Sequence, residues 1–444
     1  MLQASALSKK DTIVSMILIG VLFFVFGFVT WVNAILIPYF KIACELNNLE
    51  SYFVAFAFYI SYLVLAIPAS FVLRKYGFKK GMMLGFFFMA AGAFTFIVAA
   101  IDRQYSVFLA GLFLIGTGLT ILQTAANPYV TVLGAKERAA QRISIVGICN
   151  KGAGIIAPLL FAAVILRSDD ASLFARIPQM GAEEREIVLD GLIRRVMVPY
   201  ALVGTVLVIL GLMVRFSPLP EIDTEKEDET EAAVNADKKS IVEFPHLILG
   251  AIAIFLHVGT QVVAVDTVIG YAASMNIQLT EAKVFPSYIL TTTIVGYITG
   301  IICIPRFFSQ TSALKICTSL GTVLSVLIVL AEGTVTWLGH TSDISLIFLV
   351  LLGLANSLIW AGIWPLALNG LGRFTKVGAS LLVMGLCGNA MLPLVYGYFA
   401  DQSSHRLAYW VLLPCYLYLL FYAFKGHKIR TWKHRSLPLE LVNK

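Results

Sequence analysis

LAIPASF (residues 65–71), AANPYV (125–130) and IIAPLL (155–160) each place a proline in an apolar stretch, and each has a partner further along: ICIPRF (302–307), GIWPLA (362–367) and AMLPLV (390–395). Pro68, Pro128 and Pro158 precede Pro305, Pro365 and Pro393 by 237, 237 and 235 residues. The chain reads as one membrane unit written twice, with a charged stretch between the copies. Duplicated helical halves around a central cavity are an arrangement of secondary transporters, whose substrate site lies between the halves near the bilayer midplane.

The composition agrees. Of 444 residues, 59% are hydrophobic and 13% charged, and the mean hydropathy is +0.84; a soluble chain carries about 25% charged residues. Apolar runs long enough to cross a ~30 Å hydrocarbon core fall at 13–38, 52–73, 80–101, 106–132, 144–166, 197–214, 247–273, 284–307, 313–333, 344–371, 377–400 and 407–424. These twelve segments predict an all-α membrane protein of two pseudo-symmetric six-helix bundles. The expected domains are a first bundle (1–214), a linker (215–245), a second bundle (246–424) and a basic tail (425–444). The first run is far longer than the ~7–15-residue apolar core of a signal peptide, so it reads as a true span.

Basic residues in short loops predict the orientation. Arg74, Lys75, Lys79 and Lys80 lie between segments two and three, Lys136, Arg138 and Arg142 between four and five, and Arg373 and Lys376 between ten and eleven. With Lys9, Lys10 and the tail (Lys425, Lys428, Arg430, Lys433, Arg435), they share one side. The opposite loops are nearly neutral, so both termini are expected in the cytoplasm. This bias accounts for the net charge of +7; no soluble basic domain offers a nucleic-acid face. The acidic linker RFSPLPEIDTEKEDETEAAVNADKKSIVEFP (215–245) reads as a solvated tether. EEREIVLDGLIRRV (183–196) could form a short amphipathic helix at the membrane surface.

Several function classes drop out. Six cysteines at 44, 149, 303, 317, 387 and 415 show no metal-ligand spacing. There is no phosphate-binding loop of the Walker type, so no cofactor is expected and uphill movement would draw on a gradient, with a proton or sodium as coupling ion. A membrane-embedded enzyme would need clustered His, Asp or Cys near one face, and the six histidines are dispersed. A drug or peptide exporter is a weaker alternative.

Polar side chains inside apolar helices are costly unless they meet a partner, another helix or a wet cavity, so they form the candidate site. They are Asn33 on segment one, Gln123 and Asn127 on four, Asn150 and Lys151 on five, His257, Gln261 and Asp266 on seven, Asn356 and Asn369 on ten, and Asn389 on eleven. Matching helices carry them in both copies. Neutral amides both donate and accept, which suits an uncharged polyhydroxylated ligand; Trp360 and Trp364, one turn apart, suit the apolar face of a sugar ring. Each amide could equally bond only to a neighbouring helix, worth about 0.6 kcal/mol. Lys151 lies about 10 Å from the start of its segment and could snorkel or form a structural pair. Asp266, the clearest acid within an apolar helix, is the candidate cation carrier; rise counting places it and Lys151 at different depths.

Five stretches carry a family likeness: FGFVTWVNAILIPYFK (26–41), FAFYISYLVLAIPASFVLRKYGFKKG (56–81), LQTAANPYV (122–130), HVGTQVVAVDTVIGYA (257–272) and WAGIWPLALNGLGRFTKVG (360–378). The chain resembles the major facilitator superfamily, and within it the fucose–galactose–glucose/proton symporters, the second and fifth stretches being most similar to the glucose/galactose branch. The resemblance implies a monomeric sugar transporter in a bacterial inner membrane, working by alternating access with a small-molecule sugar and membrane lipid as its partners. It also exposes departures: Ala34 stands where related proton symporters carry an aspartate on segment one, and Gln123 where the fucose symporter carries a glutamate. Neither takes up a proton. Asp266, sodium coupling and uncoupled diffusion are the remaining alternatives.

Overall fold

The computed structural model describes residues 9–132, 139–217, 240–304, 306–337, 339–371 and 374–432. Among the described residues, eleven helices are long and apolar enough to cross a membrane: Ile13–Ala43, Lys79–Ile101, Tyr105–Ala126, Arg142–Ile165, Ala182–Phe216, Pro245–Ser274, Leu279–Cys303, Gln310–Leu330, Ser345–Leu368, Val377–Gln402 and His405–Lys428. Segment two is the 24-residue helix Phe53–Tyr76, whose described apolar stretch is Phe53–Ala69. Helices form here because a bilayer offers no partner for backbone N–H and C=O groups, so each segment must satisfy its own.

The duplication shows in the packing. Segments three and four, three and six, two and four, and one and five pair in the first half. Their counterparts nine and ten, nine and twelve, eight and ten, and seven and eleven pair in the second. The halves meet through five against eight and eleven against two, again a symmetric pair. Even single contacts repeat: Gly116 presses on the Phe58 carbonyl as Gly353 presses on that of Ile289, close approaches that leave no room for a Cβ.

Segments four, seven and ten are 61, 61 and 72% buried over their most apolar windows, against 33% for the sixth, so the former lie centrally. Val98, Val198, Leu202, Ile302 and Leu330 are exposed, as lipid-facing positions require. Pro68, Pro158, Pro365 and Pro393 all sit inside helices, while Pro305 lies outside the described residues.

One end of the bundle carries Lys75, Lys79, Lys80, Arg215, Lys315, Lys425, Lys428 and Arg430, and is called the basic end below. Lys136, Arg138, Arg373 and residues 218–239 of the linker lie outside the described residues. Segment six runs on to Phe216. The end of the linker and the start of the tail are pinned to the second half: Trp432 donates to the Val242 carbonyl (2.7 Å) and Arg430 to that of Asn369 (3.0 Å).

At the opposite end the stretch after segment five folds as expected into a helix, Ala182–Arg194, whose apolar side is partly covered by protein. Leu189, Leu192 and Ile193 are buried, Tyr39 donates to the Leu192 carbonyl (2.6 Å), and Arg103 pairs with Glu186 (2.8 Å). A two-stranded hairpin, β1 (Thr334–Trp337) against β2 (His340–Asp343), joins segments nine and ten. The apolar pattern gave no sign of it; Trp337 packs edge-on against Tyr288.

Candidate functional site

Three helices lose their regularity beside the same space. Segment one breaks at Val32, between Lys9–Trp31 and Asn33–Ala43. Segment ten breaks between Ser345–Asn356 and Ile359–Leu368. Segment eleven narrows to a 3₁₀ turn at Gly385–Cys387. Irregular backbone at membrane depth is tolerated where it is buried in protein or lines a cavity, and a cavity is what lies beside all three.

The cavity, with about 1110 Å³ of empty space partly continuous with the outside, sits between the halves. The first half contributes Trp31, Tyr59, Tyr62, Gln123, Asn150 and Lys151. The second contributes His257, Gln261, Tyr297, Trp360, Trp364 and Asn389. It extends past Val130 and Ile143, about one helical turn from the basic end. At the opposite end the halves are joined: Asp401 accepts from the backbone amides of Asn48 (3.2 Å) and Leu49 (2.8 Å) and from the Asn48 side chain, and Tyr52 meets Tyr396 edge-on.

Its polar groups are placed but not used up. Trp31 donates to Asn150 Oδ1 (3.2 Å), while Asn150 Nδ2 donates to the Phe23 carbonyl (3.3 Å). Gln123 donates to the Tyr62 hydroxyl (2.8 Å) and keeps its amide oxygen free among the described residues. Asn389, buried, has its amide oxygen unpartnered among the described residues. Trp360 and Trp364 stack at 5.1 Å and 26°. Lys151 donates across the cavity to Gln261 Oε1 (2.9 Å) and lies 4.1 Å from the Trp31 ring.

The structure therefore brings together eight of the thirteen positions singled out from sequence: Gln123, Asn150, Lys151, His257, Gln261, Trp360, Trp364 and Asn389. Four others lie elsewhere. Asn33 is buried at the break in segment one, both amide atoms unpartnered among the described residues, beside a small apolar pocket inside the first half. Asn356 is buried and accepts from Tyr416 (2.7 Å), as a link between segments ten and twelve. Asn369 is exposed at the basic end, where its carbonyl serves His246 and Arg430. Asp266 is buried on segment seven outside the cavity lining, neither carboxylate oxygen having a hydrogen-bond partner among the described residues. The side chain of Asn127 lies outside the described residues.

Sequence reasoning missed Trp31, Tyr59, Tyr62 and Tyr297 as lining groups. Tyr59 and Tyr62 are three apart, a spacing that shares one helix face; aromatic side chains are at home in apolar helices, so nothing else marked them. Lys151 does not snorkel, and it pairs with no acid among the described residues: it is 6% exposed and points inward.

Two six-helix halves around a cavity sealed at one end define a membrane transporter of the two-bundle type. The chain belongs to the Major Facilitator Superfamily, whose family model matches residues 19–387, a family of transporters and not of enzymes. It is 31% identical over 427 residues to a glucose/galactose transporter of Brucella abortus, covering 95% of this chain and 96% of that protein. It is 27% identical to the L-fucose-proton symporter of Escherichia coli, with 95% of each chain covered. Among solved structures, a Major Facilitator Superfamily transporter, FucP, in the outward conformation is 26% identical with a TM-score of 0.70, covering 93% of this chain and 98% of that one.

Proposed function

We propose that this protein moves a neutral hexose, glucose or galactose, across a bacterial inner membrane by alternating access, with both termini in the cytoplasm. The observation that carries the reading is the cavity itself: neutral amides from both halves (Gln123, Asn150, Gln261, Asn389) line it together with a stacked pair of indoles. Amides offer donors and acceptors to ring hydroxyls, and an indole face takes the apolar side of the ring. The relatives' names add support. With the basic end in the cytoplasm, the cavity faces inward in this arrangement.

Cation-coupled symport is the form proposed, with Asp266 as the coupling carboxyl. A bare charge there would be expensive, and a bound proton or cation relieves that cost. An uncoupled facilitator is the second reading, favoured by Ala34 and Gln123 and by a cavity with no carboxylate among its described lining residues. The experiment is uptake of labelled glucose, galactose and fucose into proteoliposomes under imposed proton or sodium gradients. Saturable uptake that rises above equilibrium under one gradient supports symport. Equilibration only supports the facilitator, and no saturable uptake of any sugar removes the hexose reading.

A further inference from the structure

Lys151 is the one charged residue among the described groups lining the cavity. It stands on segment five of the first half and its bond to Gln261 reaches segment seven of the second. No carboxylate is paired with it: the ion pairs among the described residues all lie toward the ends of the bundle. Its surroundings are the Trp31 ring, one amide oxygen and cavity space. The titratable groups facing it are His257 on segment seven, Tyr59 and Tyr62 on segment two, and Tyr297 on segment eight; Asp266 lies outside the lining.

A buried ammonium without a counter-ion is costly to keep charged, and lysine, unlike arginine, can shed its proton. Protonated, Nζ has three hydrogens; one goes to Gln261, leaving two for ligand hydroxyl oxygens. Deprotonated, it loses the charge that makes such bonds strong. We propose that Lys151 is a substrate-contacting, proton-carrying residue of the transport cycle, gripping both the sugar and Gln261 when protonated and releasing both when it is not. The proton passes from Nζ to water in the cavity open toward the basic end and returns from water when the opposite end is open; no bond between heavy atoms changes. Lys151 carries this proton in addition to the coupling carboxyl proposed at Asp266, and from within the cavity, a place that Asp266 does not occupy here. The inference rests on the hexose reading for its cargo.

The test uses the full chain in proteoliposomes, with Lys151→Arg, a fixed charge, and Lys151→Met, a fixed absence of charge. The wild type is expected to accumulate labelled hexose under an inwardly acid gradient. Both variants should lose accumulation while keeping hexose counterflow, Lys151→Arg within about threefold of the wild-type KM and Lys151→Met about tenfold above it, a loss of about 1.4 kcal/mol. The pH dependence of counterflow KM should flatten in both. A readout without sugar accompanies it: tryptophan emission, sensitive to the ammonium over Trp31, should change with pH in the wild type and not in Lys151→Met. Accumulation by Lys151→Met equal to the wild type overturns the proposal. So does tighter displacement of hexose by glucuronate or galacturonate that Lys151→Met abolishes, which would make the ammonium a counter-ion for an acidic sugar. A wild type that moves no hexose, yet shows the Lys151-dependent emission change, overturns the cargo while sustaining the titrating lysine; a flat emission profile in the wild type overturns the lysine.

Discussion

Asp401, at the end of segment eleven, accepts hydrogen bonds from the backbone of Asn48 and Leu49, which follow segment one, and so ties the second half to the first at the end away from the cavity mouth. Lys41 donates to the Asn48 side chain, adding a third member to the tie. Gly397, one turn before Asp401, leaves no space for a Cβ against Tyr52. This end must part for the cavity to open on the other side, so these contacts weigh directly on the balance between the two states.

Asp401→Ala is expected to shift that balance. Charge-assisted bonds contribute about 1.5–3 kcal/mol, and exposure cuts such contributions to about 1 kcal/mol or less. A severalfold rise in the population open at this end follows. Double electron–electron resonance between spin labels at positions 47 and 403 should show a longer-distance component in the variant; identical distributions would remove the latch.

Trp360 is half-buried in the cavity and lies over Trp364. Trp360→Ala should raise the KM for hexose about tenfold, since aromatic contacts contribute about 0.5–1.5 kcal/mol. The melting temperature should change little. An unchanged KM in proteoliposome uptake would place the sugar away from the indoles.

Asn389 and Asn356 separate a cavity amide from a structural one. Asn389→Ala should raise KM about fivefold, the loss of a bond worth about 1 kcal/mol, with stability intact. Asn356→Ala strips Tyr416 of the acceptor it has at 2.7 Å. It should leave KM within about twofold while costing about 1–3 kcal/mol of stability. Uptake kinetics and thermal unfolding in detergent, measured side by side, decide the assignment.

Gly353 and Gly152 make a second contrast. A Cβ at Gly353 would collide with the Ile289 carbonyl and the Thr292 hydroxyl, whereas one at Gly152 meets nothing within 4 Å. Gly353→Ala should cost about 1–3 kcal/mol by overpacking. Gly152→Ala should be neutral or stabilising, since alanine is favoured by about 1 kcal/mol in a helix. Thermal unfolding of the two variants checks both.

Asp266→Asn tests coupling. The amide cannot take up a proton, so ion-driven accumulation should vanish while some sugar exchange remains. Unchanged accumulation in vesicles would take Asp266 out of that role.

The sequence by itself determined the twelve helices, their two-fold repetition and the chemistry available to the interior. It could do so because lipid forces each span to close its own backbone bonds, making every span a long apolar run. A polar side chain in such a run says only that it avoids lipid. Whether it then faces the cavity, as Asn150 and Asn389 do, or a neighbouring helix, as Asn356 does, depends on how each helix is rotated and where it breaks. Neither the breaks at Val32 and between Asn356 and Ile359 nor the turn of Lys151 toward Gln261, 110 positions away, is marked in the sequence. Only the tertiary structure decided those, because in a membrane both orientations hide the polar group from lipid and the choice falls to the fit between helices.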